Sequence, residues 1–229
     1  MSPGHAVVMP AFPNDQHAGG PSAWEPCRKG ADWDERYATT AQMFSGEPNF
    51  AVVTEASGLQ PGRALDVGCG EGADAVWLAG RGWTVTALDV SEVALQRAAL
   101  RAGQAGAQVD WVHAGLVEAA LPPAQFDLVS AQYPALPSSA HHDAERALLA
   151  AVSPGGLLLM AYHAGFDRGE AKARGIDPAD YVWPTDVVAA LLDEDWQVQI
   201  DTRRPREAPA GGAGQHHTHD VVLRARRLS

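Results

Sequence analysis

Three closely spaced glycines stand where an apolar run ends and a helical pattern begins. Gly68, Gly70 and Gly72 directly follow the apolar run Arg63–Val67, which is typical of a short buried strand. Small residues at such a turn let the backbone approach a ligand closely, and the N-terminus of the following helix offers N–H groups. The spacing therefore predicts a binding loop for a nucleotide-like ligand.

Two aspartates indicate which ligand suits this loop. Asp89 follows a second apolar run, and its carboxylate suits the paired hydroxyls of a ribose. Gly68, Gly70 and Ala73 also satisfy the G-x-G-x-x-G/A pattern of dinucleotide-binding enzymes. Asp66, however, would repel a pyrophosphate and attract the ammonium and sulfonium groups of S-adenosylmethionine. The residues favour S-adenosylmethionine, and a nicotinamide cofactor stays the alternative.

A purely structural role for both acids is the competing interpretation. Asp66 could simply accept hydrogen bonds from nearby backbone N–H groups, and Asp89 could cap the helix that follows it. Two acids placed around one glycine loop favour ligand binding over this interpretation.

The elements around the loop alternate between strand and helix patterns. Nearly all of the strands are apolar throughout, which is typical of a parallel sheet covered by helices on both faces. The last two strands are joined without a helix between them and must pair antiparallel. We therefore predict an α/β fold with a doubly wound, Rossmann-like seven-stranded sheet, mostly parallel and ending in a C-terminal antiparallel hairpin. The predicted strands are Arg63–Val67, Trp83–Leu88, Gln108–Val112, Phe126–Ser130, Leu157–Tyr162, Gln197–Thr202 and His219–Ala225.

The chain divides into a short arm and one domain. Residues 1–30 contain five prolines and four glycines without an apolar period, which predicts an irregular or mobile arm. Residues 31–229 form the domain, and residues 31–60 are predicted to be a helical lid at its start. The predicted helices are Trp33–Phe44, Phe50–Ser57, Gly72–Ala79, a helix from the Ser91 cap to about Gln104, Ser138–Val152 with Ser138 or Ser139 at its cap, and Thr185–Leu192.

Composition narrows the range of partners and compartments. The formal net charge of −11 disfavours nucleic acid and anionic membrane surfaces, which require local positive potential. The longest apolar run, Leu157–Tyr162, is too short to span a bilayer, and the first residues lack a signal-peptide pattern. The two cysteines form no disulfide framework. We expect a cytoplasmic protein; the sequence carries no signal for its oligomeric state.

Four motifs in the same order resemble those of the class I S-adenosylmethionine-dependent methyltransferases. The resemblance runs from about Trp33 to Arg227, so that residues 31–229 are expected to form a methyltransferase domain. Two further stretches, Trp33–Tyr37 and Ser45–Asn49, resemble the small-molecule tellurite-resistance and thiopurine methyltransferase type. The four motifs are ALDVGCGEG at 64–72, VTALDVS at 85–91, FDLV at 126–129 and SPGG at 153–156.

The resemblance implies roles for residues around the glycine loop. Asp66 and the backbone of Gly68–Gly70 would hold the methionine end of S-adenosylmethionine. Gln132 would line the same end, and Tyr37 would cover it. Cys69 lies within the loop, where a small residue fits a tight turn; a reactive thiol at the helix start is the alternative.

The same resemblance assigns the nucleoside end. Asp89 would take the ribose hydroxyls, and Val90 would pack against the adenine. The family usually places an aspartate after the third strand to accept a hydrogen bond from the adenine amine, but Gly115 occupies that position here. The backbone N–H of Leu116 would then be left to serve a ring nitrogen.

The methyl acceptor is expected beyond the C-terminal ends of the fourth and fifth strands, where open α/β sheets bind ligands. Tyr133 and His163 follow those strands and are candidate catalytic and substrate-binding residues. Trp33 would reach the acceptor from the lid. A surface histidine and a core-packing tyrosine are the alternatives. A base is needed only where the nucleophile must lose a proton.

The sequence leaves three functional hypotheses. The favoured one is a methyltransferase for a small-molecule acceptor. A non-catalytic S-adenosylmethionine-binding module is supported by the glycine at position 115, and a nicotinamide-dependent oxidoreductase only by the glycine spacing. The histidines of His216–His219 lack a matching Cys or carboxylate set, so no physiological metal site is expected.

Overall fold

A computed structural model describes residues 30–164, 177–191, 195–207 and 217–229. These residues form a seven-stranded sheet with helices on both faces. The strands are β1 Arg63–Val67, β2 Thr84–Asp89, β3 Val109–His113, β4 Phe126–Gln132, β5 Val152–His163, β6 Trp196–Pro205 and β7 His219–Arg227. The helices are α1 Gly30–Ala38, α2 Phe50–Ala56, α3 Ala73–Ala79, α4 Glu92–Ala105, α5 Asp143–Ala151 and α6 Pro184–Ala190, with a short 3₁₀ turn at Pro178–Asp180.

The strand order is β3-β2-β1-β4-β5-β7-β6. Strands β1 to β5 pair in parallel, and β7 pairs antiparallel with both β5 and β6. The predicted fold class, including the terminal hairpin, is confirmed. Hydrophobicity explains why the last strand lies inside the sheet: β7 buries Val222, Leu223 and Ala225, whereas β6 is mostly exposed and polar, as suits an edge strand.

Two apolar layers cover the two faces of the sheet. One contains Val52 of α2 and Leu78 of α3, and the other contains Leu148 of α5 and Val187 of α6. Each of these four side chains is fully removed from solvent. The alternation of strands and helices in the sequence therefore reflects a doubly wound architecture.

Two helices are shorter than predicted. The first predicted helix continues to Phe44, but α1 ends at Ala38, because the N–H groups of Met43 and Phe44 donate to the side chain of Glu71 instead. The predicted start at Ser138 is also wrong. The N–H of Ser138 donates to the Asp180 carbonyl, and α5 begins only at Asp143.

The segment of residues 30–57, called the N-terminal segment below, is bound to the start of α4 at one end and to the sheet at the other. At its start, Asp34 accepts hydrogen bonds from the Ser91 hydroxyl at 2.6 Å and the Val93 N–H at 3.1 Å. At its end, Glu55 of α2 pairs with Arg204 of β6 at 2.5 Å and Arg224 of β7 at 2.9 Å. These contacts hold the two helices before β1 against the rest of the domain; that residues 31–60 act as a lid stays a prediction.

The middle of the N-terminal segment is bound directly to the glycine loop. The buried carboxylate of Glu71 pairs with Arg97 at 2.9 Å, and Arg97 also donates to the carbonyl oxygens of Tyr37 and Thr40. Next along the chain, Asp74 accepts from the backbone and the side-chain amide of Asn49, at 2.6 and 2.8 Å. Glu71 and Asp74 therefore connect the loop to the segment that lies over it.

The predicted arm falls outside the described residues, apart from Gly30, which begins α1. His216 also lies outside them. Within the described part of the chain, no helix is long and apolar enough to cross a membrane.

We expect Asp34→Ala to loosen the N-terminal segment, because the carboxylate accepts from two groups at the start of α4. The loss is expected to be about 1 kcal/mol of unfolding free energy, which is typical of helix caps. In a domain of this size it lowers Tm by roughly 2–4 °C in scanning calorimetry. Glu35→Ala changes an exposed carboxylate on the same helix and is the matched control. Equal Tm values for the two variants would contradict this role.

Candidate active site

The glycine loop requires backbone conformations that other residues rarely adopt. Gly70 and Gly72 have φ angles of 52° and 78°. A Cβ at Gly72 would lie 2.7 Å from Ala98, and a Cβ at Gly70 would lie 2.9 Å from the Tyr37 hydroxyl. The loop is thus packed against α4 below and the N-terminal segment above, with no room for side chains at these two positions.

The N–H groups of the loop are already engaged. Gly68 and Cys69 both donate to the Leu88 carbonyl, at 2.9 and 3.0 Å, and Gly70 donates to the Asp89 carboxylate at 2.8 Å. The N–H of Gly72 donates to the Cys69 carbonyl. A pyrophosphate would need such groups as free donors. The N–H groups of Gly68, Cys69, Gly70 and Gly72 are therefore not free to bind an anion.

Besides Glu71 in the loop itself, three buried carboxylates lie around the loop, those of Asp66, Asp74 and Asp89. Burial first, and then the charges of Asp74 and Asp89, raise the pKa of Asp66 well above its ordinary value. Oδ2 of Asp66 has no hydrogen-bond partner among the residues that the structure describes. A buried acceptor of this kind is costly unless a donor reaches it. A cationic group is the ligand chemistry that fits this position.

Asp89 combines a structural role with spare acceptor capacity. Its two oxygens accept from the N–H groups of Gly70 and Ser91, both at 2.8 Å. Burial raises its pKa, although those hydrogen bonds act in the opposite direction. A carboxylate offers about four lone-pair directions, so two remain for ligand hydroxyls. The helix cap itself comes from Ser91, whose hydroxyl accepts from Ala94.

Cys69 is a half-buried thiol within this acidic environment. Burial first, and the charges of Asp66 and Asp89 next, raise the pKa of Cys69 well above its ordinary value. The thiol is therefore protonated at neutral pH and is a poor nucleophile. Its sulfur lies 3.9 Å from the Gly70 carbonyl, as expected for a small residue in a tight turn.

Tyr37 lies over the loop. Its ring is buried, and ring centroids of Trp33 and Phe44 lie 6.1 and 6.2 Å away. Burial, with Asp89 and Glu71 nearby, raises the pKa of Tyr37 well above its ordinary value, so the hydroxyl stays neutral. Trp33 packs beside Tyr37, and no contact among the described residues joins Trp33 to the predicted acceptor residues.

At the expected nucleoside end of the site, the structure places an acidic side chain near Gly115 that was not predicted from the sequence. Gly115 has no side chain, and the carboxylate of Glu118 fills the space that this leaves after β3. A Cβ built on Gly115 would lie 2.3 Å from Oε2 of Glu118. Val90 Cγ1 lies 3.6 Å from the same point. Leu116 is buried in the core. An acidic group therefore stands beside Val90 despite the glycine at 115.

Gln132 ends β4 beside the loop. Its side-chain amide donates to the Ser130 hydroxyl at 3.1 Å and the Leu159 carbonyl at 3.3 Å. Its Oε1 is buried and has no hydrogen-bond partner in the described part of the chain. Since β1 and β4 are neighbouring strands, Asp66 and Gln132 add two unsatisfied oxygens at the same sheet edge.

The structure brings Tyr133 and His163 together. Their rings stack with centroids 4.2 Å apart. The Tyr133 hydroxyl donates to Asp220 at 2.7 Å, and Nδ1 of His163 lies 3.4 Å from the same carboxylate. Asp220, which is buried at the start of β7, was not predicted from the sequence. The pairing of His163 with Asp220 depends on the register between β5 and β7, which the sequence does not specify.

Two further residues complete this group. Arg206 lies 3.1 Å from Nδ1 of His163, 3.7 Å from Asp220 and over the ring of Tyr133. His217 stacks on the other face of His163, with centroids 3.9 Å apart. Tyr133, His163, Arg206, His217 and Asp220 are called the acceptor-side cluster below. Among the described residues, no group of three or more side chains could hold a metal ion.

Comparison with known proteins finds a family that resembles the central part of the chain. Residues 64–156 match the methyltransferase domain family. The ubiquinone biosynthesis O-methyltransferase of Klebsiella pneumoniae is 35% identical over 137 residues, which cover 57% of this chain and 54% of that protein. The chain thus spans about half the length of the curated relatives it matches.

Solved structures share the fold over most of the chain. A protein studied for the conversion of a disulfide bond into a thioacetal group during echinomycin biosynthesis is 26% identical, with a TM-score of 0.66 over 86% of this chain and 92% of that one. A Burkholderia thailandensis 1,6-didemethyltoxoflavin N1-methyltransferase with bound S-adenosylhomocysteine is 19% identical, with a TM-score of 0.58 over 87% and 84%. Residues 64–156 thus resemble a methyltransferase domain, and the seven-stranded fold of the chain is the one that these solved structures share.

Proposed function

We propose that this protein transfers the methyl group of S-adenosylmethionine to a small-molecule acceptor. The observation that carries the proposal is the loop itself, whose N–H groups are engaged and whose neighbouring Asp66 oxygen is buried without a partner. This arrangement suits a cationic ligand and disfavours a pyrophosphate, which removes the main support for a nicotinamide cofactor. The cofactor supplies a methyl group made electrophilic by its sulfonium.

Different residues around the loop would bind different parts of the cofactor. Asp66 and Gln132 would present their unsatisfied oxygens to the methionine end. Asp89 keeps two lone-pair directions for the ribose hydroxyls. Tyr37 lies over the loop, so it would exclude water from the bound cofactor.

Glu118 would supply the adenine contact that Gly115 lacks. Its carboxylate lies in the space that a side chain at 115 would fill, next to Val90. The glycine at 115 was the only sequence support for a binding module without catalysis. An acidic group at the same point weakens that alternative and favours the enzyme.

The acceptor would be a small molecule that reacts through oxygen. The relative from Klebsiella pneumoniae is an O-methyltransferase by name. The acceptor-side cluster offers hydrogen-bonding side chains at the ends of β4 and β5, where we expected the acceptor. In-line transfer needs the nucleophile held against the methyl group in a dry site, which aromatic walls such as Tyr133 provide.

We expect binding of S-adenosylmethionine to release protons and to weaken as the pH is lowered. Burial raises the pKa of Asp66 well above its ordinary value in the free protein, and a bound ammonium would favour the ionised carboxylate and lower that pKa. Calorimetry in buffers of different ionisation enthalpy measures the proton release. Asp66→Asn should weaken binding by roughly 10- to 100-fold and abolish most of the pH dependence. A pH-independent wild-type affinity would argue against this role.

Asp89→Asn should weaken S-adenosylhomocysteine binding by roughly 10- to 100-fold, because a charged acceptor of two ribose hydroxyls is lost. The variant keeps an acceptor for only one of the two N–H groups of Gly70 and Ser91, so we expect a lower Tm, and the affinity is measured at a temperature at which both proteins are folded. Asp201→Asn removes an exposed carboxylate of β6 and is the control. An unchanged affinity in Asp89→Asn would leave this residue with a structural role alone.

Glu118→Gln should reduce the preference for adenine. We expect the wild-type protein to bind S-adenosylhomocysteine about 5-fold or more tightly than S-inosylhomocysteine, whose 6-oxo group cannot donate to a carboxylate. In Glu118→Gln the amide can donate to the 6-oxo group, so the two affinities should converge. Competition calorimetry measures both ligands. The same preference in both proteins would exclude Glu118 from the adenine site.

The proposal as a whole is tested by calorimetry with S-adenosylmethionine and by mass spectrometry of an acceptor panel of phenols, amines and thiols. Binding together with one methylated product supports it. Tight binding without any product would favour the binding module, and absence of binding would contradict both.

A further inference from the structure

Strand β6 is one edge of the sheet, and its outer side meets no other strand of the described part of the chain. The ladder with β7 is regular only from Ile200 onwards, because the register shifts between Val198 and Ile200. At the other end stands Pro205, which has no N–H to give to a neighbouring strand. The regular part of this edge is therefore the stretch of residues 200–204, which is centred on Thr202.

The direction of the backbone groups of β6 follows from its pairing with β7. The N–H of Arg206 donates to the Thr218 carbonyl at 3.0 Å, so it points towards β7. Backbone groups of an antiparallel strand alternate between its two sides. Those of Thr202 therefore also point towards β7, whereas those of Asp201 and Arg203 point outwards, where they can pair with a further strand. The Arg203 carbonyl receives a long contact, at 3.4 Å, from the Thr202 hydroxyl.

The side chains of the same two residues carry opposite charges. Asp201 and Arg203 are both exposed, and because they stand two residues apart on a strand they share one face of the sheet. Directly opposed residues of paired antiparallel strands also share a face, and their side chains interact. Two copies of β6 would therefore attract or repel each other according to the residues that are opposed.

The charges and the backbone groups together favour one register between two copies. A twofold axis at Thr202 opposes Asp201 of each copy to Arg203 of the other, and both residues have outward backbone groups. An axis at Asp201 or at Arg203 would instead oppose two like charges. An axis at Arg204 would oppose two arginines and would place Arg203 against Pro205, which lacks the N–H. The favourable axis is also the centre of the regular stretch.

We propose that β6 pairs antiparallel with β6 of a second copy of this chain about a twofold axis at Thr202, so that the two sheets join edge to edge. The outward N–H groups of Asp201 and Arg203 in each copy then find carbonyl acceptors in the other, and two Asp201–Arg203 ion pairs lie across the axis. The two threonines at the axis form a cross-strand pair, which is favourable in sheets. Because both chains use the same edge, the assembly closes as a dimer.

The paired edge is short, so the dimer is reversible. Interfaces of stable complexes bury more surface than a strand of this length provides, and exposed ion pairs add little. We expect a Kd of roughly 10 to 500 μM, measured by sedimentation velocity over a concentration series of the full chain. A wild type that stays monomeric up to about 1 mM would overturn the proposal.

Reversed charges test the register. Asp201→Arg and Arg203→Asp each oppose like charges in both ion pairs, so each variant alone should dimerise roughly 10-fold more weakly or worse. An equimolar mixture of the two variants restores both attractions, as does the double variant, and both samples should dimerise like the wild type. Asp110→Arg makes the same change of charge on β3, the opposite edge of the sheet, and is the control. Circular dichroism checks that each variant is folded.

A cross-link gives a second readout that does not depend on charge. Opposed residues that do not hydrogen-bond to each other have Cα atoms about 4.5 Å apart, which is within the range of a disulfide. Thr202→Cys should therefore form a disulfide-linked dimer on mild oxidation. Glu207→Cys, at an exposed position beyond the regular stretch, should not. The wild type, which keeps its own cysteines, shows any background cross-linking.

Three results would overturn the axis at Thr202 even if the wild type dimerises. One is single charge variants that dimerise as the wild type does. Another is a mixture of the two variants that is no more dimeric than either alone. The third is equal cross-linking of Thr202→Cys and Glu207→Cys.

Discussion

The end of β2 holds the glycine loop, and the chemistry of the site depends on that attachment. The Leu88 carbonyl accepts from two loop N–H groups, and the Asp89 carboxylate accepts from a third. These hydrogen bonds use three loop N–H groups that a bound pyrophosphate would need as donors. Beside these engaged donors stand the buried carboxylates of Asp66 and Asp89. One set of backbone hydrogen bonds thus reverses the electrostatic preference of a widespread loop.

Hydrogen bonds also explain why two of the three neighbouring acids, Asp66, Asp74 and Asp89, tolerate burial. Asp89 and Asp74 each accept at least two hydrogen bonds, from Gly70 and Ser91 in one case and from Asn49 in the other. Asp66 is the member of this group with an unsatisfied oxygen. The cost of that burial is offset only when a donor arrives, so part of the binding energy is stored in the free protein.

Local sequence patterns were sufficient to predict the strands and the fold class. The apolar runs and the helix-free connection before the last strand contain that information within a few residues. The lengths of α1 and α5 could not be predicted, because Glu71 and Asp180 take backbone N–H groups that a helix would otherwise use. Glu71 and Asp180 are distant in sequence from the N–H groups that they bind, so the helix propensity of the local sequence contains no information about them.

The residues of the candidate site were also predicted only where the local sequence indicates them. Asp66 and Asp89 were predicted because they adjoin the glycine motif and the end of the next strand. Asp220 was missed, since its position opposite His163 depends on antiparallel register across a long connection. Glu118 was missed for a different reason, because the empty space at Gly115 is visible only in three dimensions.

The contacts of Glu71 have a consequence for the timing of ligand exchange. This one buried carboxylate holds Met43, Phe44 and Arg97, so residues 39–49 can leave the loop only by giving up several hydrogen bonds at once. Such an opening is a local unfolding event with its own free energy. The time for which a nucleoside product stays bound under this segment then depends on how fast the segment opens. It does not depend on the rate of the chemical step.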